Sequence, residues 1–154
     1  MLQYSDWNSL TSAAQEKCGR VLVEHVAPVA EKIVKKHIAS DIYSVYTPIS
    51  GGWVNGSTYQ RRHVLENNMY HSLNNASDEL LVTSNATASK SVVKGFSFHN
   101  RRPGAFLKLL ETGNMGIWRN GFPRPAIGNA QAEIDKSSAI SQAIRAGLNQ
   151  IFNV

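Results

Sequence analysis

A run of apolar residues at three- and four-residue steps between Leu10 and Ala39 most limits what this chain can fold into. Such spacing places side chains on one face of an α-helix, so the sequence predicts a long amphipathic helix that covers one side of a core. Thr11 or Ser12 is expected to cap its start. The predicted apolar face consists of Ala14, Cys18, Val21, Leu22, His25, Val29, Ile33, Val34 and Ile38.

Pro28 lies inside this helical pattern. It has no N–H to donate to the Glu24 carbonyl, and its ring clashes with that turn. The sequence therefore predicts a kink at Pro28, or a break into two helices.

A second helical pattern runs from Pro125 to Phe152. Pro125 suits a first helical turn, because an N–H at that position has no intrahelical acceptor. The middle of the pattern is weak, since serines interrupt the apolar face and Gly128 and Gly147 disfavour a helix. The stripe consists of Ile127, Ala130, Ile134, Ile144, Leu148 and Ile151, and the interruptions are Ser137, Ser138 and Ser141.

Short strands and loops are predicted between the two helical regions. Glu79 to Thr83 and Ser91 to Phe98 have strand character, whereas Arg62 to Leu73 fits a strand or a helix equally well. Asn74 to Asp78 is a predicted turn, and extended loops are expected at residues 49–58 and 84–104. A length of 154 residues suits a single domain spanning residues 1–154.

Charge and cysteine content limit the classes of function. Sixteen Lys and Arg against eleven Asp and Glu give a net charge of +5, which attracts nucleic acid or an acidic protein surface. The basic residues form pairs at Lys35-Lys36, Arg61-Arg62 and Arg101-Arg102, unlike the continuous block of a nucleic-acid-binding arm. The single cysteine excludes an internal disulfide. No signal peptide or membrane span is indicated, and synthesis in a reducing cytosol is expected.

The motifs of common catalytic and cofactor sites are missing from the sequence. His25 and His37 lie too far apart on one helix to share an ion, and His63 and His71 lack a partner at metal-binding spacing. Cys18 falls on the predicted apolar stripe, where a cysteine acts as a small hydrophobe. No nucleophile elbow, Walker loop or dinucleotide fingerprint occurs. We therefore expect no enzymatic activity, no catalytic residue, no metal and no cofactor.

Tyrosines and arginines concentrate around a glycine-rich segment that contains Trp53. One interpretation is a loop whose tyrosine rings are buried while their hydroxyls stay in water. The other is a partner contact, because Tyr and Arg are enriched where proteins bury surface against each other. The two motifs are Tyr43-Ser44-Val45-Tyr46-Thr47-Pro48 and Tyr59-Gln60-Arg61-Arg62-His63-Val64-Leu65.

The order of these motifs resembles a family of small tailed-bacteriophage proteins of the head–tail joining, neck or tail-completion type. In that family an alanine-rich leading helix runs into Y-x-x-Y-x-P, followed by Y-x-R-R-x-x-L. A later element ending in Glu-Thr-Gly and an Arg-Pro pair opening the last helix are similar to Glu111-Thr112-Gly113 and Arg124-Pro125. Two departures are Ala126, where the family has a large apolar residue, and the long stretch between the two tyrosine motifs.

The resemblance implies an α+β domain in which long N-terminal and C-terminal helices pack on a small, mainly antiparallel β-sheet with long loops. It implies a virion protein made in the host bacterial cytoplasm, which assembles as a ring in the neck or at the head-proximal end of the tail. Its expected partners are further copies of itself, connector or neck proteins, and tail-tube or tail-terminator proteins, with phage DNA passing through the lumen and no membrane. The predicted contact residues are Tyr43, Tyr46, Pro48, Trp53, Tyr59, Arg61, Arg62, Arg101, Arg102, Arg124 and Pro125.

Two other classes of function stay open at the level of sequence. A basic nucleic-acid-binding module would use the same basic pairs, with Trp53 and the tyrosines as stacking platforms. A hydrolase or nuclease would need a site assembled from residues distant in sequence.

Overall fold

The computed structural model describes residues 6–44, 63–85, 111 and 125–152. The predicted strand Ser91–Phe98 and the predicted loop at 49–58 lie outside these residues, as does all of the loop at 84–104 except Ser84 and Asn85. The backbone divides into two compact units, the first being Met1–Ile33, His71–Val82 and Ala132–Val154, and the second Val34–Tyr70 and Thr83–Gln131.

The first helical segment, α1 (Trp7–Val21), starts earlier than the apolar pattern. Asp6 precedes it in an extended conformation, and its Oδ1 accepts the N–H of Ser9 at 2.8 Å. Asp6 is therefore the N-cap, and the prediction of Thr11 or Ser12 as the cap was wrong. The Thr11 hydroxyl instead donates to the Trp7 carbonyl within the helix, at 2.9 Å.

Pro28 does not break the helix. A π-helical turn at Leu22–Val26 follows α1 directly and leads into α2 (Ala27–His37), so the helical backbone is continuous. The N–H of Ala27 bonds to the Leu22 carbonyl, five residues back, immediately before the proline. The wider turn changes the hydrogen-bond register where the Pro28 ring would otherwise clash with the Glu24 carbonyl. The helix therefore continues through the proline. A second π-helical turn, Ile38–Tyr43, ends the helical run.

The predicted apolar face is largely correct, with one exception. Val21 and Ile33 are buried in the first unit, and Val34 and Ile38 are buried in the second. Cys18 is exposed, so its assignment to the buried stripe was wrong. At that level of the helix the buried position is the neighbouring Gly19.

A β-hairpin follows the short helix α3 (Val64–Asn67). Its strands are β1 (Met69–Leu73) and β2 (Leu80–Ser84), which confirms the strand predicted at Glu79 to Thr83 within one residue. The ambiguous stretch before it is divided between α3 and β1. Asn74 forms the turn, because its Oδ1 accepts the N–H groups of Asp78 at 3.0 Å and Glu79 at 3.2 Å.

The C-terminal region contains two helices, α4 (Ala126–Ile134) and α5 (Ser138–Phe152). They separate at the serine-rich position where the sequence pattern was weak. In the first unit α5 packs against α1 and the first π-helical turn, and a Cβ on Gly147 would lie 2.8 Å from both Val21 Cγ1 and His25 Cδ2. Gly147 therefore permits the close approach of α5 to the first helix.

Long helices with a two-stranded antiparallel sheet confirm the predicted α+β class. Among the described residues, no helix has the length and apolar character needed to cross a membrane.

Candidate functional site

Tyr43 holds the start of α3. Its hydroxyl oxygen accepts the N–H of Leu65 at 3.1 Å. Leu65 is the second residue of α3, where a backbone N–H has no intrahelical acceptor, so the tyrosine caps the helix from 22 positions away in sequence. On the other side the buried Ser84 hydroxyl donates to the Leu65 carbonyl at 2.8 Å. We call Tyr43, Leu65 and Ser84 the Leu65 clamp.

His63 lies beside the Leu65 clamp in a left-handed backbone conformation, with φ of 49°. Its ring centroid is 4.9 Å from that of Tyr43, and its Nδ1 is 3.3 Å from Glu66 Oε2. The Asn67 N–H also bonds to the His63 carbonyl at 3.0 Å. Tyr43 and His63 therefore fix the chain on both sides of residues 45–62, the stretch that carries most of the tyrosine and arginine motifs.

Asp41, two residues before Tyr43, is the centre of a polar cluster. Its Oδ2 accepts the Asn129 side-chain amide at 2.8 Å and lies 3.0 Å from His37 Nδ1, while its Oδ1 accepts the Ser40 hydroxyl at 2.6 Å. Partial burial raises the pKa of the Asp41 carboxyl, but the hydrogen bonds from Ser40, Asn129 and His37 together outweigh it, so the pKa lies below its usual value. The ionised carboxylate thereby connects the second π-helical turn to α4 within the second unit.

Glu111 and Pro125, which belong to two separate motifs in the sequence, meet at the start of α4. Pro125 immediately precedes the helix, and its carbonyl accepts the Asn129 N–H at 2.8 Å. Because proline has no side-chain oxygen, it cannot cap the free N–H groups of the first turn. Glu111 does so, since its Oε1 accepts the N–H of Gly128 at 2.8 Å. A negative charge is also favourable at a helix N-terminus.

Two of the predicted contact residues, Tyr43 and Pro125, belong to the described part of the chain. Pro125 immediately precedes α4, and the Tyr43 hydroxyl contacts the first turn of α3. The remaining predicted contacts are outside it, namely Tyr46, Pro48, Trp53, Tyr59, Arg61, Arg62, Arg101, Arg102 and Arg124. Sequence reasoning missed Asp41 as the centre of a cluster. The spacing of His37 and Asp41, four residues apart on a helix, was a readable signal for that pair.

Three of the four histidines in the described ranges contact a carboxylate. Besides His37 and His63, the Nδ1 of His71 on β1 lies 3.0 Å from Glu31 Oε1 on α2. Within the described ranges, no three His, Cys, Asp or Glu side chains gather closely enough to hold a metal ion.

A protein-family model described as YomN matches residues 6–150. The chain belongs to the YomN family. This family is phage-derived and of the Bacillus prophage type, so the chain is a phage-associated protein. Searches of curated proteins and of solved structures found no significant match. The match includes every described helix and strand up to residue 150, so YomN membership applies to both compact units.

Proposed function

We propose that this YomN-family protein is a structural component of a tailed-phage particle. It forms part of a ring in the neck or at the head-proximal end of the tail, where it joins the capsid connector to the tail tube. It acts through protein–protein contacts and catalyses no reaction.

Family membership over residues 6–150 is the observation that carries this proposal, because it makes the chain phage-associated almost from end to end. The order of the tyrosine, arginine, Glu-Thr-Gly and Arg-Pro motifs supports the finer assignment to the head–tail junction by resemblance.

The roles of the described polar residues also support a structural function. The Tyr43 hydroxyl holds the backbone of Leu65, and the Glu111 carboxylate holds that of Gly128. Both groups fix chain segments in place. A subunit that presents rigid surfaces to its neighbours requires such contacts. In a ring, one patch of each subunit meets a different patch of the next, so a few well-fixed surfaces specify the whole assembly.

Removing the gene from an inducible phage tests the proposal directly. We expect lysates in which negative-stain images show DNA-filled heads and complete tails that are not joined. Purified protein added to such a lysate should restore joined, infectious particles, since each part is already assembled. Normal joined particles without the protein would overturn the proposal.

A variant pair locates the functional residues in the same complementation assay. Changing Arg61 and Arg62 together to Ala should abolish restoration while leaving the circular dichroism spectrum and the unfolding midpoint unchanged. The control changes another basic pair, Lys35 and Lys36, which are exposed on α2, to Ala and removes the same charge. Full restoration by the arginine variant would remove Arg61 and Arg62 from the contact.

The nucleic-acid alternative predicts a different result. A binding module would retard DNA at low salt with an affinity that falls steeply as salt rises, and its loss would leave head–tail joining intact. That combination would replace the structural proposal with the nucleic-acid one.

A further inference from the structure

A cleft in the first compact unit lies between the first helix and the tip of the β-hairpin. Its volume is about 310 Å³, and it is lined by Glu16, Gly19, Arg20, Val23, Glu24, Leu73 and Ser77. Gly19 lies at the bottom of the cleft. A Cβ at this position would lie 3.0 Å from Ser77 Cβ and 3.1 Å from Leu73 Cδ1. The glycine lets the hairpin tip lie directly against the helix.

The cleft combines an apolar floor with a charged edge. Val23 and Leu73 are half-buried and present aliphatic surface, whereas Glu16, Arg20 and Glu24 follow one another at four-residue steps along the helix. Arg20 Nε is 3.0 Å from Glu24 Oε1, and this hydrogen bond lowers the pKa of Glu24. The edge therefore carries two carboxylates against one guanidinium, on a protein whose net charge is +5.

A partner segment that fits this cleft must supply an apolar or aromatic side chain for the floor and positive charge for the edge. The volume lies at the lower end of the range for binding pockets, which suits a single aromatic ring. Tyr59-Gln60-Arg61-Arg62 is a sequence with these properties, since it has one aromatic residue followed by two arginines. Arginine pairs with carboxylates through two parallel hydrogen bonds and is enriched at protein interfaces.

We propose that the cleft at Gly19 receives residues 59–62 of a second copy of this chain, with Arg61 and Arg62 paired to Glu16 and Glu24. The contact is head-to-tail, because the cleft of one subunit binds a different patch of the next, and such contacts generate rings when the rotation closes. This inference rests on the proposed ring and names its subunit interface. Charge complementarity between the acidic cleft edge and the basic pair selects a second copy as the occupant.

Charge reversal on both sides tests the interface in the full-length protein. Sedimentation velocity over a range of protein and salt concentrations should show that the unmodified chain associates, and that salt weakens the association. Either E16K/E24K or R61E/R62E alone should weaken association on the order of a hundredfold, since like charges then face each other. An equimolar mixture of the two variants should regain association, because each reversed patch then meets an opposite charge.

K35E/K36E is the matched control, because it changes the net charge by the same amount as R61E/R62E at another exposed basic pair. We expect it to associate like the unmodified chain, with all variants giving the same circular dichroism spectrum. An unmodified chain that stays monomeric overturns the interface, as does a mixture that does not recover association or a control that loses it equally. Restoration of particles by the gene-deletion assay is independent of these results, so failure of the interface and failure of the neck assignment are distinguishable.

Discussion

Replacing Tyr43 by Phe removes one atom from the Leu65 clamp and keeps the aromatic ring. The Leu65 N–H then loses its acceptor at 3.1 Å, and it has no intrahelical acceptor because it belongs to the first turn of α3. Loss of a helix cap costs about 0.5–2 kcal/mol, and a buried N–H left unsatisfied costs about 1–3 kcal/mol. Leu65 is 3% exposed but the bond itself is only partly buried, so we expect a loss of about 1.5 kcal/mol.

Urea unfolding followed by circular dichroism measures this difference, with an unchanged m-value as evidence that the unfolded state is the same. The midpoint of thermal unfolding should fall by about 3–6 °C, because a domain of this size loses roughly 2–4 °C per kcal/mol. Hydrogen exchange at the Leu65 amide should accelerate in the variant. Tyr70→Phe is the control, because the structure shows no hydrogen-bond partner of the Tyr70 hydroxyl in the described part of the chain, and its free energy of unfolding should change by less than about 0.5 kcal/mol.

A Tyr43→Phe protein as stable as the unmodified chain, with unchanged exchange at Leu65, would refute the clamp. The N–H of Leu65 would then bond to water equally well, and Tyr43 would again be a candidate for contact with a partner. A loss of stability with unchanged particle restoration would instead place Tyr43 inside the subunit.

Four further substitutions test other parts of the structure by urea unfolding. Gly147→Ala should cost about 1 kcal/mol, because overpacking against Val21 at 2.8 Å exceeds the gain in helix propensity. Gly128→Ala should be neutral or stabilising, since a flexible carboxylate is the group that faces it among the described residues. Asp41→Asn should cost about 1–3 kcal/mol at pH 7. Since the folded-state pKa of Asp41 lies below its usual value, its contribution is complete above about pH 5 and is lost as the pH falls through the folded pKa, so the two proteins should converge in acid. Asp6→Ala should cost about 1 kcal/mol through loss of the N-cap of α1, and an unchanged midpoint would contradict that role.

Repeating patterns in the sequence predicted the long helices. They did not predict features that depend on a single residue. The apolar period located the first helix because a buried face must recur every three to four residues. Its start at Trp7 was missed, because Trp7 is 78% exposed and does not take part in that face. The widened turn before Pro28 was missed too, since a proline can be accommodated by a kink, a break or a change of hydrogen-bond register, and periodicity does not distinguish them.

The candidate site depended on contacts that no local pattern encodes. The pairing of His37 with Asp41 follows from a four-residue helical step and could be predicted. The Tyr43 contact with Leu65 and the Glu111 contact with Gly128 span 22 and 17 positions, and each requires the fold to be known first. A backbone N–H at a helix start needs an acceptor, but the sequence does not say which distant side chain supplies it.

Both capping contacts use residues from the motifs that resemble those of head–tail joining proteins. Within these motifs, the capping residues can be separated by role from the arginines. Tyr43 and Glu111 satisfy backbone groups of their own subunit, so their chemistry is explained by folding. A guanidinium has five donors and no acceptor capacity, so it cannot satisfy an N–H at a helix start as a tyrosine or a glutamate can. Arg61 and Arg62 therefore have a different task from Tyr43 in the same motif. If that task is contact with a neighbouring copy, charge reversal at the arginines should abolish assembly with little change in stability, whereas Tyr43→Phe should lower stability with little change in assembly.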